Sequence, residues 1–493
     1  MRKAIVYLLV LLVFNGALAQ TAGTPGIGDD FYPELGNGGY DVQLYRIQLD
    51  VSDDLSSIVG ATTLEIVATQ DLSAFNLDFL GMTIDSIEID EQSAQYRREG
   101  RELTVTPAAA LTTGSVYSVR VAYHGTPGTD EDGDSLQFNN GWFKYDTGVL
   151  VASEPDGSAV WFPANDHPLD KAKFQFVISV PAPFVVAANG TLSGTTLVGD
   201  RTTYTWEMNY PMATYLATVN IQTFEERTDM TASGVKIRNY FPAAIADEGE
   251  ATFARQADMI DYFETVFGPY PFDVYGVVVA DIGLGFALET QTLSLFGKNI
   301  VVNGTSASGI PAESIIAHEL AHQWFGNSLT PATWRDLWLN EGFASYAQVL
   351  WVEHEEGAAR ANELLVSFYA QIRNPLLIAQ GVSAPGTPPP ERLFNTSVYL
   401  RGAWVLHALR LQIGDAAFFK LLRTYADTFQ YGNVKTLDFI GMAVAISGDP
   451  TATSLLNAWI YEAGVPDVPQ MNLFGTNQIV TCGLHTTSLH SRL

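Results

Sequence analysis

Residues 314–324 read Ser314-Ile315-Ile316-Ala317-His318-Glu319-Leu320-Ala321-His322-Gln323-Trp324. An Ala/Ile/Leu-rich stretch of this kind predicts a helix, and His318 and His322 then stand one turn apart on the same face. Two imidazoles so placed reach one ion, and zinc takes neutral nitrogen ligands of this type. Glu319 follows the first histidine, where its carboxylate faces a water on the metal rather than the metal itself. A buried helix with incidental histidines would not account for two imidazoles and an acid on an otherwise apolar stretch.

Two histidines leave the set incomplete, because catalytic zinc takes three protein ligands and keeps one position open. Eighteen residues separate His322 from Glu341, which stands within Trp338-Leu339-Asn340-Glu341-Gly342-Phe343-Ala344. That interval allows a loop and the return of a second helix. An acid flanked by Trp338, Leu339 and Phe343 is costly to bury unless it is paired or bound to metal. The chain has a single cysteine, Cys482, which excludes a disulfide framework within the chain and a cysteine-based zinc cluster. His and carboxylates must hold any metal.

Outward from this segment the hydrophobic period divides the chain. Tyr45–Val51, Thr63–Val67, Tyr117–Tyr123 and Phe174–Val180 alternate between Gly, Asp and Pro turns, which predicts an all-β half. From about residue 247 the period becomes helical. Phe253, Ala257, Ile260, Phe263, Val266 and Phe267 share one face, and Gly268-Pro269 stops the run. A strand at Tyr275–Ala280 precedes mostly helix to Ala463. The expected fold class is α+β multidomain: an N-terminal all-β domain over residues 20–228, then a mainly α domain over 229–468 and an irregular tail over 469–493. The polar run Glu225–Asp229 suggests the boundary. Ala384–Glu391, rich in proline, reads as a surface loop.

Composition agrees with two sizeable domains. Of 493 residues, 47% are apolar and 12% aromatic, which excludes a disordered chain. The formal net charge of −28 argues against nucleic acid as a partner, since a phosphate backbone would be repelled. Arg2 and Lys3 precede an apolar run from Ala4 to Phe14, and Ala17-Leu18-Ala19 presents small residues. That pattern predicts a secretory signal over residues 1–19, cleaved after Ala19, and hence a secreted or periplasmic protein. No later stretch is long and apolar enough for a stable membrane span. Asn189, Asn303 and Asn395 each begin an Asn-x-Ser/Thr triplet.

His-Glu-x-x-His, eighteen residues, then Glu within Trp-Leu-Asn-Glu-Gly-Phe-Ala resembles the M1 family of zinc metallopeptidases, the membrane alanyl aminopeptidase group. Ala287-Leu288-Glu289-Thr290 stands where that family carries Ala-Met-Glu-Asn after a glycine, and only the Ala and Glu are kept. Val398-Tyr399-Leu400-Arg401-Gly402-Ala403 is similar to its Val-Tyr-x-Lys/Arg-Gly-Ala segment. Phe162-Pro163-Ala164-Asn165-Asp166-His167-Pro168, followed by Lys171-Ala172, is similar to a third. The resemblance covers about residues 40–465 and implies a saddle-like form for the β domain and a thermolysin-like form for the helical one; little of this sequence follows Gly464, where family members commonly add further domains.

The resemblance implies one Zn2+ per chain on His318, His322 and Glu341, water activated there with Glu319 as general base, and Tyr399 stabilising the oxyanion. Glu289, with Ala287 beside it, would hold the free amino group of a peptide substrate. Glu154 would add a second carboxylate from the β domain, set against its reading as a plain surface acid. His167 reads as a core or solvent residue rather than a ligand, and Trp324, Trp338 and Trp351 as core. The implied activity is a metallo-aminopeptidase acting on peptides with a free N-terminus. Two alternatives stay open: a thermolysin-like zinc endopeptidase and a catalytically inactive peptide-binding relative. Epoxide hydrolysis, oligomeric state and the preferred first residue are not readable from these motifs.

Overall fold

A computed structural model describes residues 21–128, 141–379 and 384–474. The expected signal segment, the acidic run Asp130-Glu131-Asp132-Gly133-Asp134, Cys482 and most of the expected tail lie outside the described residues.

The N-terminal half is β-rich, as its alternating pattern requires. Its main sheet has eight strands, running in space from Thr191–Val198 through Arg201–Ala213, Lys171–Pro181, Tyr40–Val51, Ile58–Ala68 and Val116–Gly125 to Thr83–Ile89 and Gln92–Ser93. All neighbours pair antiparallel except Lys171–Pro181 with Tyr40–Val51, where Phe174 meets Tyr45 and Ile178 meets Leu49. Tyr45, Ile47, Phe174, Phe176 and Ile178 are buried, and the Tyr45 and Phe174 rings stack with centroids 4.8 Å apart. A second sheet of four strands joins Gly141–Tyr145, Gly148–Ala152, Val219–Gln222 and Val185–Ala188. Its second strand leads directly to Glu154.

A mixed sheet opens the second half: Phe224–Met230, Lys236–Pro242, Val274–Ala280 and Ser294–Gly297. The first pair is antiparallel and the other two pairs are parallel, so each needs a crossover: helices carry the chain from Lys236–Pro242 to Val274–Ala280, and the non-helical segment 281–293 carries it on to Ser294–Gly297. Val274–Ala280 is buried at every position, which matches its continuous apolar run. The sequence expectation needs two corrections here. The boundary proposed after residue 228 falls inside a strand, because Thr228 pairs with Arg238; the break lies ahead of Phe224. Glu225–Met230 is polar because the strand lies at the sheet edge with its side chains largely exposed, and an edge strand of that composition mimics a linker. The single helical run expected from the Phe253–Phe267 spacing is broken: Phe253 lies between two helices, Ala246–Thr252 and Gln256–Phe267.

Helices then dominate to Ala452–Tyr461, and no helix among the described residues is long and apolar enough to cross a membrane. Pro469–Met471 is a single turn, so the start of the expected tail is ordered. Trp324, Trp338 and Trp351 are buried, as expected of core. Two of the three Asn-x-Ser/Thr sites are also buried: Asn189 is 0% and Asn395 8% exposed. Asn189 spends its amide on the carbonyls of Leu216 and Gln291, which excludes a glycan there on the folded chain.

Candidate active site

The helix Ala312–Ala321 presents His318 and His322 as the spacing requires, with ring centroids 4.7 Å apart. It ends at His322 because the chain turns at Gly326, whose φ is 134°. A Cβ at Gly326 would sit 3.2 Å from His322 Nδ1, so the turn brings bare backbone against the ring. His322 Nδ1 lies 3.1 Å from the Phe325 carbonyl. A proton donated there leaves the Nε2 lone pair for a metal, the usual way an outer partner sets the tautomer. On His318, Gln348 supplies a side-chain hydrogen bond, and its own amide donates to the Ser314 carbonyl at 3.2 Å.

Glu341 arrives on the helix Trp338–Glu356. Its Oε2 lies 3.1 Å from His318 Nε2 and 3.5 Å from His322 Nε2. Ligand atoms of the three residues all lie within 4.8 Å of one another. A second cluster shares His322: Glu289, Glu319 and His322 meet the same limit. Burial pushes the Glu319 and Glu289 carboxyls up and raises Glu154 as well, with Glu289, Glu341 and Glu319 adding to the effect. Glu154 therefore belongs to the same electrostatic cluster and is not a surface acid. Burial would also raise Glu341, but the His322 charge and hydrogen bonds from both imidazoles hold it at about 2. His322 is pushed up to about 10 against burial, by Glu289 and Glu341 first.

Four buried carboxylates around two imidazoles need positive charge to be stable. The donor set fits zinc: two nitrogens and one carboxylate oxygen converge, and a second acid stands beside them without joining the set. Glu289 Oε1 is buried and has no hydrogen-bond partner among the described residues. That orphaned atom fits a cationic group brought by a ligand.

Tyr399 lies in a π-helical turn, Ser397–Arg401, ahead of the helix Gly402–Ile413. Such turns accommodate an extra residue in a helix and recur at functional sites. Its ring lies nearly parallel to that of His318, centroids 6.1 Å apart. Burial and the four glutamates push its phenol well above the ordinary range, so it remains a proton donor. Two features hold it there. Gly402 and Gly342 pack backbone to backbone, and a Cβ on Gly402 would meet the Gly342 Cα at 2.7 Å. Arg401 is buried and donates to the carbonyls of Trp459, Ala458, Glu462 and Gly464 at 2.6–3.1 Å. It thereby caps the last helix with its guanidinium.

A cleft of about 420 Å³ opens over His318, Glu319 and Tyr399, with Ala287, Phe286 and Phe394 among its walls. Of the eight residues expected in the site, Ala287, His318, Glu319 and Tyr399 line this cleft, Glu289, His322 and Glu341 share the ligand-atom clusters with them, and Glu154 is linked to them electrostatically. His167 is a core residue, 3.1 Å from Asp29. The motifs gave no role to Gln348, Arg401, Gln323, Asn327 or Lys171. Lys171 Nζ donates to the Asn327 and Ser328 carbonyls, both at 2.9 Å, and so joins the β domain to the loop after His322.

A β-rich domain joined to a helical domain bearing this donor set is the arrangement of the two-domain zinc metallopeptidases. The chain belongs to peptidase family M1: residues 251–459 match the peptidase family M1 domain and residues 42–216 the peptidase M1 N-terminal domain. Among solved structures it is similar to a two-domain M1 zinc metallopeptidase variant bound to L-tryptophan, at 31% identity and TM-score 0.80, covering 90% of this chain and 99% of that one. It is also similar to the Deinococcus radiodurans M1 zinc metallopeptidase variant bound to a Tyr-Ser-Ala substrate, at 32% identity and TM-score 0.79, covering 90% of this chain and 99% of that one. Aminopeptidase M1 of Arabidopsis thaliana is 28% identical over 334 residues, 65% of this chain and 37% of the relative. Aminopeptidase N of Canis lupus familiaris is 29% identical over 347 residues, 64% of this chain and 35% of the relative. The chain thus spans little more than a third of these curated relatives.

Proposed function

We propose that the chain is a zinc aminopeptidase that hydrolyses the first peptide bond of peptides with a free amino terminus. The observation that carries this reading is the buried Glu289 carboxylate, which shares a 4.8 Å cluster with Glu319 and His322 and leaves Oε1 unpartnered. A free α-ammonium distinguishes a peptide's first bond from all others, and a buried carboxylate reads it directly. An endopeptidase has no use for such a charge one residue from the cut.

His318, His322 and Glu341 would hold the zinc, which when bound supplies a Lewis acid for the scissile carbonyl and lowers the pKa of water. Glu289 and Glu154 bind the ammonium and set the first residue's position. Glu319 takes the proton of the attacking water and passes it to the leaving amine, a role worth roughly 10²–10⁴-fold. Tyr399 donates its phenol proton in a hydrogen bond to the developing oxyanion, and losing such a donor costs about 2.7–4 kcal/mol. Residues 1–19 serve as an export signal in this reading, which intact-mass analysis of the mature chain tests.

The deciding experiment incubates the zinc-loaded protein with one peptide in free and N-acetylated form and follows products by mass spectrometry. Stepwise release of single residues from the free form alone is expected. Internal cleavage of both forms at equal rates would refute the reading.

A further inference from the structure

Resting on the reading of Glu289 as the ammonium anchor, we infer that Gln323 is a positioning residue that splints the Glu289–Thr292 turn to the metal-binding segment and so sets the distance between the amino terminus and the cut bond. Gln323 is buried and directly follows His322 in the chain. Its carboxamide grips both ends of the turn: Nε2 donates to the Glu289 carbonyl at 3.1 Å, and Oε1 accepts from the Thr292 N–H at 2.8 Å. Asn327 reinforces the first grip, donating to the same Glu289 carbonyl at 2.6 Å.

A second, independent observation shows that the turn needs holding. Thr292 has φ 66°, a left-handed conformation that a β-branched residue adopts only when its surroundings enforce it. Those surroundings come from two directions. Gln323 holds the Thr292 N–H, and on the β-domain side the Gly190 N–H donates to Thr292 Oγ1 at 2.8 Å. Asn189 completes the clasp by donating to the Gln291 carbonyl at 2.7 Å. With the backbone of Glu289 fixed at its carbonyl, the Cα–Cβ direction is fixed too, and with it the place of Oε1, which has no hydrogen-bond partner among the described residues. An anchor tied to the residue next to a metal ligand acts as a ruler one residue long.

The test replaces Gln323 with Met, which keeps the volume and removes both hydrogen bonds. Zinc content, thermal midpoint and kcat/KM are measured for alanine p-nitroanilide and for its N-acetylated form. The free-to-acetylated ratio of kcat/KM is expected to fall by about tenfold or more, chiefly through KM of the free substrate, with zinc retained, as loss of a buried hydrogen-bonded support predicts. A zinc-loaded Gln323→Met protein with the wild-type ratio, or one losing kcat equally on both substrates, overturns the splint. If that variant does not fold, Gln323→Glu is read in the same assay. It keeps an acceptor for Thr292 but no donor for Glu289, and an unchanged ratio overturns the proposal. A wild-type protein without preference for the free substrate instead refutes the Glu289 reading, and the splint with it.

Discussion

Gly402→Ala probes how the Tyr399 turn is held against the metal site. The new Cβ would lie 2.7 Å from the Gly342 Cα, and Gly342 belongs to the helix that carries Glu341. Ordinary carbon contacts begin near 3.4 Å, so the two helices must part by about 0.7 Å at this crossing. Overpacking of that size in a dense core costs about 1–3 kcal/mol of stability. The catalytic effect is larger. Tyr399 lies three residues before Gly402, on a turn pinned at its far side by the four carbonyl bonds of Arg401, so the displacement tilts the phenol instead of dissipating along the chain. Loss of one oxyanion donor costs about 2.7–4 kcal/mol, which is roughly 10²–10³ in kcat. The assay is steady-state kinetics on an amino-acid anilide with zinc content and thermal midpoint in parallel. A matched control is Gly441→Ala in the helix Thr436–Ser447, where nothing lies within 4 Å of the added carbon. It should raise stability by about 0.5–1 kcal/mol and leave kcat unchanged. A Gly402→Ala protein with kcat within threefold of wild type would refute the argument that this contact aims Tyr399.

Glu319→Gln removes the proposed base while keeping the shape of the side chain; turnover should fall by at least the roughly 10²–10⁴ attributed to such a group, with zinc content unchanged, and substantial residual turnover would exclude Glu319 as base. The pH profile has a defined sign. Glu319 and Glu289 act as carboxylates, and burial raises both. The acid limb of kcat/KM should therefore lie above the ordinary carboxylate range, with activity lost as pH falls through it. Glu289→Gln should simplify that limb, and an unaltered profile would remove Glu289 from it.

Much of the site was legible because helical periodicity is a local property. His318 and His322 at i and i+4 must share a face wherever the helix goes, and Glu319 must point aside from them. Glu341 was reachable because an acid among Trp338, Leu339 and Phe343 is too costly to bury without a partner. Tyr399, Glu289 and Glu154 were placed only by resemblance, since no spacing rule brings such distant residues together. The strand at Phe224–Met230 was misread because a polar edge strand and a polar linker have the same composition; only its pairing with Lys236–Pro242 separates them.

By itself, then, the sequence determined the proposed metal-ligand set, the division into a β-rich and a helical half, and the exclusion of a thiolate centre. These follow from local period, residue chemistry and a count of one cysteine. Tertiary structure decided how the site is held. The Gly342–Gly402 contact, the Arg401 cap, the Lys171 tether and the Gln323 grip on Glu289–Thr292 each join segments far apart in the chain or in separate elements. Such partners are chosen by packing geometry and by the cost of leaving a buried polar group unpaired, and neither is written in a local window of sequence.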